Sequence, residues 1–255
     1  MSTSSGPLRL LVAGAPGVGK TTLCKKVFSR LQELSQAAGG GGPRPQLLGL
    51  LGEERREGGK QVGFDKVTLD GSRRAPLAIT SGPETEHMVG EYRVQLGEFE
   101  GLAFPILDAA IDRGTVQRVL IFDEIGEMEL VSKDFVSRMS HILRCPDDSL
   151  HVLGTVAKSG GGFLEAVEGL GNVEVLEIDV SSRDSRCDLI AERFAAALRA
   201  GGAGSVGGAT RPVAAASAEG AVGAAAAPPV EGPAAEAPRP SEAPPAAEAA
   251  ATPPT

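Results

Sequence analysis

Two short stretches of this sequence put phosphate-binding or proton-handling residue types at spacings that chemistry can use. The first is Gly14-Ala15-Pro16-Gly17-Val18-Gly19-Lys20-Thr21, which fits G-x-x-x-x-G-K-[ST] and is followed by Thr22. Its glycines let the backbone turn tightly and bring N–H groups close to phosphate oxygens. Lys20 supplies a cation for β- and γ-phosphates, Thr21 a hydroxyl for a Mg²⁺ ion, and Thr22 a hydroxyl for an α-phosphate. The second is Val119-Leu120-Ile121-Phe122-Asp123-Glu124, an apolar run that ends in two carboxylates. At the carboxyl end of a parallel strand, Asp123 would face the phosphate loop and hold Mg²⁺ together with Thr21. Glu124 would then orient and deprotonate a water aimed at a γ-phosphate. A Gly-rich turn or a polar strand end means little alone; the two together point to a nucleotide site.

These residues need elements to hold them. An apolar run from Leu8 to Ala13 reads as the strand before the loop, and Leu23, Val27, Leu31 and Leu34 recur at helical spacing after it. The stretches 46–54, 60–69, 75–80 and 91–96 read as strands, with Gly58-Gly59 and Asp70-Gly71 as turns between them. A helix is expected over 98–113, kinked or broken at Pro105. From residue 117 strands alternate with helices: strands at 119–122, 150–156 and 172–178, helices at 132–143, 163–168 and 183–198, with Ser132 as an N-cap. This alternation predicts an α/β domain with a mixed, mainly parallel central sheet flanked by helices, plus an antiparallel insert after the phosphate loop.

Composition sets the outer bounds. The chain has 255 residues and a net charge of -8. From about residue 200 it is almost wholly Ala, Gly, Pro, Ser and Glu, too poor in apolar residues to offset its ordering entropy. The expectation is a folded domain over 1–199 and a disordered tail over 200–255. That tail holds two Arg and five Glu, so the folded part stays acidic and lacks a strong nucleic-acid footprint. Cys24, Cys145 and Cys187 suggest neither a disulfide framework nor a zinc site, which fits a cytoplasmic protein. The segment before the first strand is short for a secretion signal, and no apolar run is long enough to span a bilayer.

The order of several strings adds a resemblance. Gly14 to Thr22, Glu54-Arg55-Arg56 with Gly58-Gly59 and Gly63-Phe64, Val89 to Val94, Asp123-Glu124-Ile125-Gly126-Glu127-Met128-Glu129-Leu130, and Leu153-Gly154-Thr155-Val156 occur in sequence. From Leu8 to about Ala195 the chain resembles the small nucleoside-triphosphatase family found in thermophilic prokaryotes and vertebrates. The resemblance implies a single RecA-like P-loop domain that hydrolyses ATP, GTP and other nucleoside triphosphates with Mg²⁺ as cofactor. It carries over Gly14 to Thr21 and Val119 to Gly126 as the nucleotide-site segments. Where many relatives have Gly-Phe-Tyr, this chain has Gly49-Leu50-Leu51, so base contacts or stability are expected to differ there.

Weaker candidates complete the set. Thr155 ends a strand expected beside Asp123 and is placed to sense a γ-phosphate. Arg56, Arg138 and Lys158 are candidate sources of transition-state charge, with Arg56 inside a family-like string. His87, His141 and His151 lack ligand spacing. The leading expectation is a monomeric hydrolase acting on nucleoside triphosphates. A nucleotide-dependent switch or assembly factor acting on RNA or a protein is the alternative, and a nucleotide or nucleoside kinase the third. A water-activating Glu124 argues against a kinase, as does the lack of a long Arg-rich lid.

Overall fold

The computed structural model describes residues 6–37, 44–114, 116–157 and 161–203. Of the tail expected over 200–255, residues 200–203 continue the last helix, because that helix runs on to Ala203; the rest of that tail, the Gly39 to Gly42 stretch and Lys158 lie outside the described residues. Strand β1 (Arg9–Gly14) leads through the Gly-rich turn into helix α1 (Lys20–Ala37). Strands β2 (Gln46–Glu57), β3 (Lys60–Thr68), β4 (Arg74–Ile79), β5 (Met88–Val89) and β6 (Tyr92–Val94) follow. Then come α2 (Leu96–Ile111), β7 (Arg118–Ile125), α3 (Glu127–Leu130), α4 (Lys133–Arg144), β8 (Leu150–Ala157), α5 (Gly161–Glu168), β9 (Glu174–Glu177) and α6 (Arg183–Ala203).

All the described strands join one sheet in the order β5-β6-β4-β3-β2-β7-β8-β1-β9. From β2 to β9 neighbouring strands run parallel; β3, β4, β6 and β5 extend the sheet antiparallel from the outer edge of β2. The expected insert is thus a wing of the same sheet. The β2–β3 hairpin turns at Gly58 (φ 56°) and Gly59 (φ 81°), a pair of positive φ values that favours glycine and matches strand twist.

Period-two alternation sorts the strand residues between two helical layers. Leu10, Val12, Leu51, Val119, Ile121 and Leu153 face α1 and α6, meeting Leu23, Val27, Leu31, Ile190 and Phe194. Leu11, Leu50, Leu120, Phe122 and Val152 face the other layer, where α2 and α4 bring Phe99, Leu107, Phe135 and Met139. Phe122 packs at a tilt against Phe135 with centroids 5.0 Å apart, and Phe135 meets Phe99 edge-on at 5.3 Å. This aromatic group sits directly behind the carboxylate pair. Truncating such a buried Phe to Ala costs about 3–5 kcal/mol, so the strand end has a stiff base.

Two local expectations change. Helix α2 runs unbroken through Pro105. Proline has no N–H for the carbonyl of Gly101, one turn earlier, and Arg73 Nη2 donates to that carbonyl instead at 3.4 Å. Strand 91–96 is shorter than its pattern suggested and belongs to a small hairpin with Met88–Val89. Ser132 caps α4 as expected: Phe135 N–H donates to its Oγ at 3.0 Å. No helix among the described residues is long and apolar enough to cross a membrane.

Candidate active site

The topology decides where the two chemical stretches meet. Strand β8 lies between β1 and β7, and all three run parallel, so the Gly-rich turn and the carboxylates leave the same edge of the sheet. Within the turn, Gly17 (φ 73°) and Gly19 (φ 109°) occupy the left-handed region that other side chains avoid. Val18 N–H closes the turn onto Ala15 O at 3.2 Å, and α1 starts at Lys20. Lys20 Nζ donates to Gly14 O (2.9 Å) and Ala15 O (3.2 Å), so the ammonium lies over the loop. An ammonium has three N–H donors, which leaves one for a ligand. Thr21 is half-buried and Thr22 exposed. Pro16 and Ala15 are exposed at the loop's outer rim.

At the end of β7 the ladder slips. The register with β8 shifts between Phe122 and Ile125, so Asp123 and Glu124 fall in the irregular stretch. Thr155 on β8 fills the gap with its side chain. Its hydroxyl donates to Asp123 Oδ1 at 2.9 Å and accepts from Glu124 N–H at 2.8 Å. Gly52 N–H on β2 donates to Asp123 Oδ2 at 3.2 Å. Asp123 is therefore buried and held from both sides, with lone pairs left on each oxygen. Thr155, fully buried, has its hydroxyl engaged by both carboxylate residues, so it braces the strand ends instead of reaching outward.

Glu124 differs in every respect. Its φ of 68° is the only positive value among described residues other than glycine, a backbone state that costs about 1–3 kcal/mol. The turn throws the side chain out of the strand alternation to solvent. Partial burial raises its carboxyl above the ordinary glutamate range; nearby Lys66 and Lys20 pull the other way, Glu129 and Asp123 push with it. Lys20 is thus close enough to be felt by the Glu124 charge, which ties the loop to the carboxylates.

Beneath this strained residue lies a group absent from the sequence-based candidates. Lys66 on β3 is buried, and its Nζ donates to Asp123 O at 2.6 Å and Glu124 O at 3.1 Å. Its charge is met by the buried Glu129 Oε1 at 2.6 Å, while Glu129 Oε2 accepts from Gly126 N–H at 3.0 Å. Glu129 thereby caps α3, a role its spacing three residues after Gly126 is suited to. The ammonium also lies 5.3 Å from the Phe122 ring centroid. Lys66 was legible only as a charge on the core-facing register of β3, in line with Phe64. Arg183, at the start of α6, was also missed; its Nη1 reaches Val18 O at 3.5 Å and its side chain lies against Gly19.

Comparison with known proteins meets the same segments. A family model described as NTPase matches residues 9–191, which span every element from β1 into α6. The chain belongs to this NTPase family. The nucleoside-triphosphatase THEP1 of Thermotoga petrophila is 37% identical over 178 residues, covering 70% of this chain and 88% of that protein. The cancer-related nucleoside-triphosphatase homolog of Mus musculus is 36% identical over 185 residues, 71% of this chain and 92% of the relative. Among solved structures, a human cancer-related nucleoside triphosphatase aligns with a TM-score of 0.60 at 32% identity, covering 74% of this chain and 98% of that one.

Seen as an NTPase of this family, the chain gives its remaining described candidates partners other than the loop and the carboxylates, and Lys158 lies outside the described residues. Arg56 is exposed near the β2–β3 hairpin and pairs with Glu54 at 2.6 Å. Arg138 pairs with Asp108 at 3.0 Å and lies 4.1 Å from the Phe104 ring centroid, on the α2 and α4 layer. Leu50 and Leu51 are core residues on opposite faces of β2, so this pair packs into both layers. His151 is buried; its Nδ1 accepts from Leu8 N–H at 3.0 Å, and burial with nearby Arg9 lowers its pKa to about 4. Cys24 is fully buried, which raises its thiol pKa well above normal and leaves it a packing residue.

Proposed function

We propose that this chain hydrolyses nucleoside triphosphates to diphosphates and phosphate with Mg²⁺, using Gly14 to Thr22 for the phosphates and Glu124 for the water. One observation carries the reading: an outward-pointing carboxyl, turned out of the strand at a positive φ, stands beside a buried, doubly held carboxylate, at the sheet edge that also carries the phosphate loop. The Thr21 hydroxyl and Asp123 carboxylate form a hard oxygen donor set of the kind Mg²⁺ takes alongside water and phosphate. Bound there, Mg²⁺ would neutralise charge on the phosphate oxygens.

Each residue then has a distinct task. The loop N–H groups and the third donor of Lys20 hold phosphate oxygens. Glu124 accepts a proton from water as the water oxygen bonds to the γ-phosphorus and the bond to the β–γ bridging oxygen breaks. The contacts read phosphates, so broad base tolerance follows. The basic face of α1 offers nucleic acid little, because Lys25 pairs with Glu53, Lys26 with Asp184, and Arg30 with both Glu33 and Glu192. Three buried free cysteines suit the reducing cytoplasm. A product assay with ATP, GTP, CTP and UTP tests the reading, with and without nucleoside acceptors. Phosphate release with every triphosphate and no acceptor is the expected result; phosphorylated acceptor with little free phosphate would overturn it.

A further inference from the structure

We infer that Lys66 is a positioning residue for catalysis, which holds the backbone of Glu124 in its left-handed turn and is itself fixed by Glu129. The inference rests on the reading of Glu124 as the base. A glutamate that simply continued β7 would follow the strand alternation, which sends neighbouring side chains to opposite faces of the sheet. Glu124 reaches solvent because its φ is 68°, and that conformation persists only if its surroundings over-determine it. Two bonds do so. Thr155 Oγ1 takes the Glu124 N–H, and Lys66 Nζ binds the carbonyls on either side of the turned residue's own peptide, Asp123 O and Glu124 O.

The ammonium has no freedom to leave. Its third donor faces Glu129 Oε1 at 2.6 Å, and both side chains are almost wholly buried. Glu129 is in turn anchored by the Gly126 N–H. Two carbonyls and one carboxylate use all three ammonium donors, so the site is complete without water or ligand. A chain stabilised only for its own sake would do as well with apolar residues here, since a buried ion pair is seldom better than well-packed hydrophobes. The pair's geometry instead serves the two peptide carbonyls that set the aim of Glu124. Lys66 also belongs to the antiparallel wing, so this side chain links the wing to the carboxylate turn.

The test uses the full chain and the variant Lys66→Met/Glu129→Gln. The substitution removes both buried charges together, and the new amide can still accept from the Gly126 N–H. Readouts are single-turnover phosphate release from ATP, equilibrium binding of a non-hydrolysable ATP analogue, and melting temperature. The expected result is release slowed at least about tenfold with binding within about twofold, as for an interaction that acts only in the transition state. In a Glu124→Gln background the same pair should change release less than about threefold, because there is no base left to aim. Wild-type release from the paired variant, or an equal fold loss in both backgrounds, would overturn the inference. Undiminished release from Glu124→Gln alone would reject the base reading and the inference with it. Should the paired variant fail to fold, Lys66→Gln/Glu129→Gln, which also leaves no unpaired buried charge and keeps a neutral polar group in place of the ammonium, is judged by the same outcomes.

Discussion

Replacing Thr155 by Val separates bracing from phosphate sensing. Valine keeps the branched shape but removes a hydroxyl that is fully buried and makes two bonds. Losing the donor to Asp123 Oδ1 forfeits a charge-assisted bond, about 1.5–3 kcal/mol. Losing the acceptor leaves the Glu124 N–H unpaired in a partly buried place, which adds about 1 kcal/mol, the low end for an orphaned donor. The expected destabilisation is thus about 3 kcal/mol, a large share of the ~5–15 kcal/mol that holds a typical domain. Thr155→Ser retains the hydroxyl and should lose only a methyl group, about 1 kcal/mol. Urea unfolding of the nucleotide-free protein measures both. Equal midpoints for the two variants, with a loss seen only when nucleotide is added, would refute the bracing role and restore Thr155 as a phosphate sensor.

Other expectations follow from the same geometry. Lys20→Ala should weaken triphosphate binding and nearly abolish phosphate release, measured by titration and single turnover, since the loop loses its only buried cation. Asp123→Asn should raise the Mg²⁺ concentration needed for half-maximal release, and an unchanged metal titration would remove it as metal partner. His151 ionises near pH 4 in the folded chain against 6.5 for an ordinary histidine, so the unfolded chain binds the extra proton first. Stability should fall as pH drops from about 6.5 to about 4, by on the order of 3 kcal/mol from this group. His151→Gln, which can still accept from Leu8 N–H, should flatten that part of the urea-midpoint profile relative to wild type.

The parts of the fold that repeat were legible in the sequence. Alternating strands and helices after residue 117 gave the parallel sheet, because each element's apolar period matches the face it buries. The loop motif and the Asp123-Glu124 pair were legible because their residue types sit together in the chain. The supports were not. Lys66 meets Glu129 across 63 positions, and Thr155 reaches Asp123 across 32. No local spacing records such contacts, which exist only once β3, β7 and β8 share a sheet. The positive φ of Glu124 was equally hidden, since nothing in the residue type asks for it. Pro105 misled for a similar reason: the donor that compensates for it, Arg73, comes from a distant turn.

Glu124→Gln, measured as single-turnover phosphate release beside equilibrium binding of a triphosphate, tests the role of this carboxyl most directly. The amide keeps the size of the side chain but removes its basicity, and under the proposed reading Lys20, Thr21, Asp123 and the loop would still hold nucleotide and metal. Release should slow by about 10²–10⁴-fold, the range for a lost general base, while binding stays within about twofold. Release at the wild-type rate with binding intact would contradict the central claim that this outward-turned carboxyl activates the water.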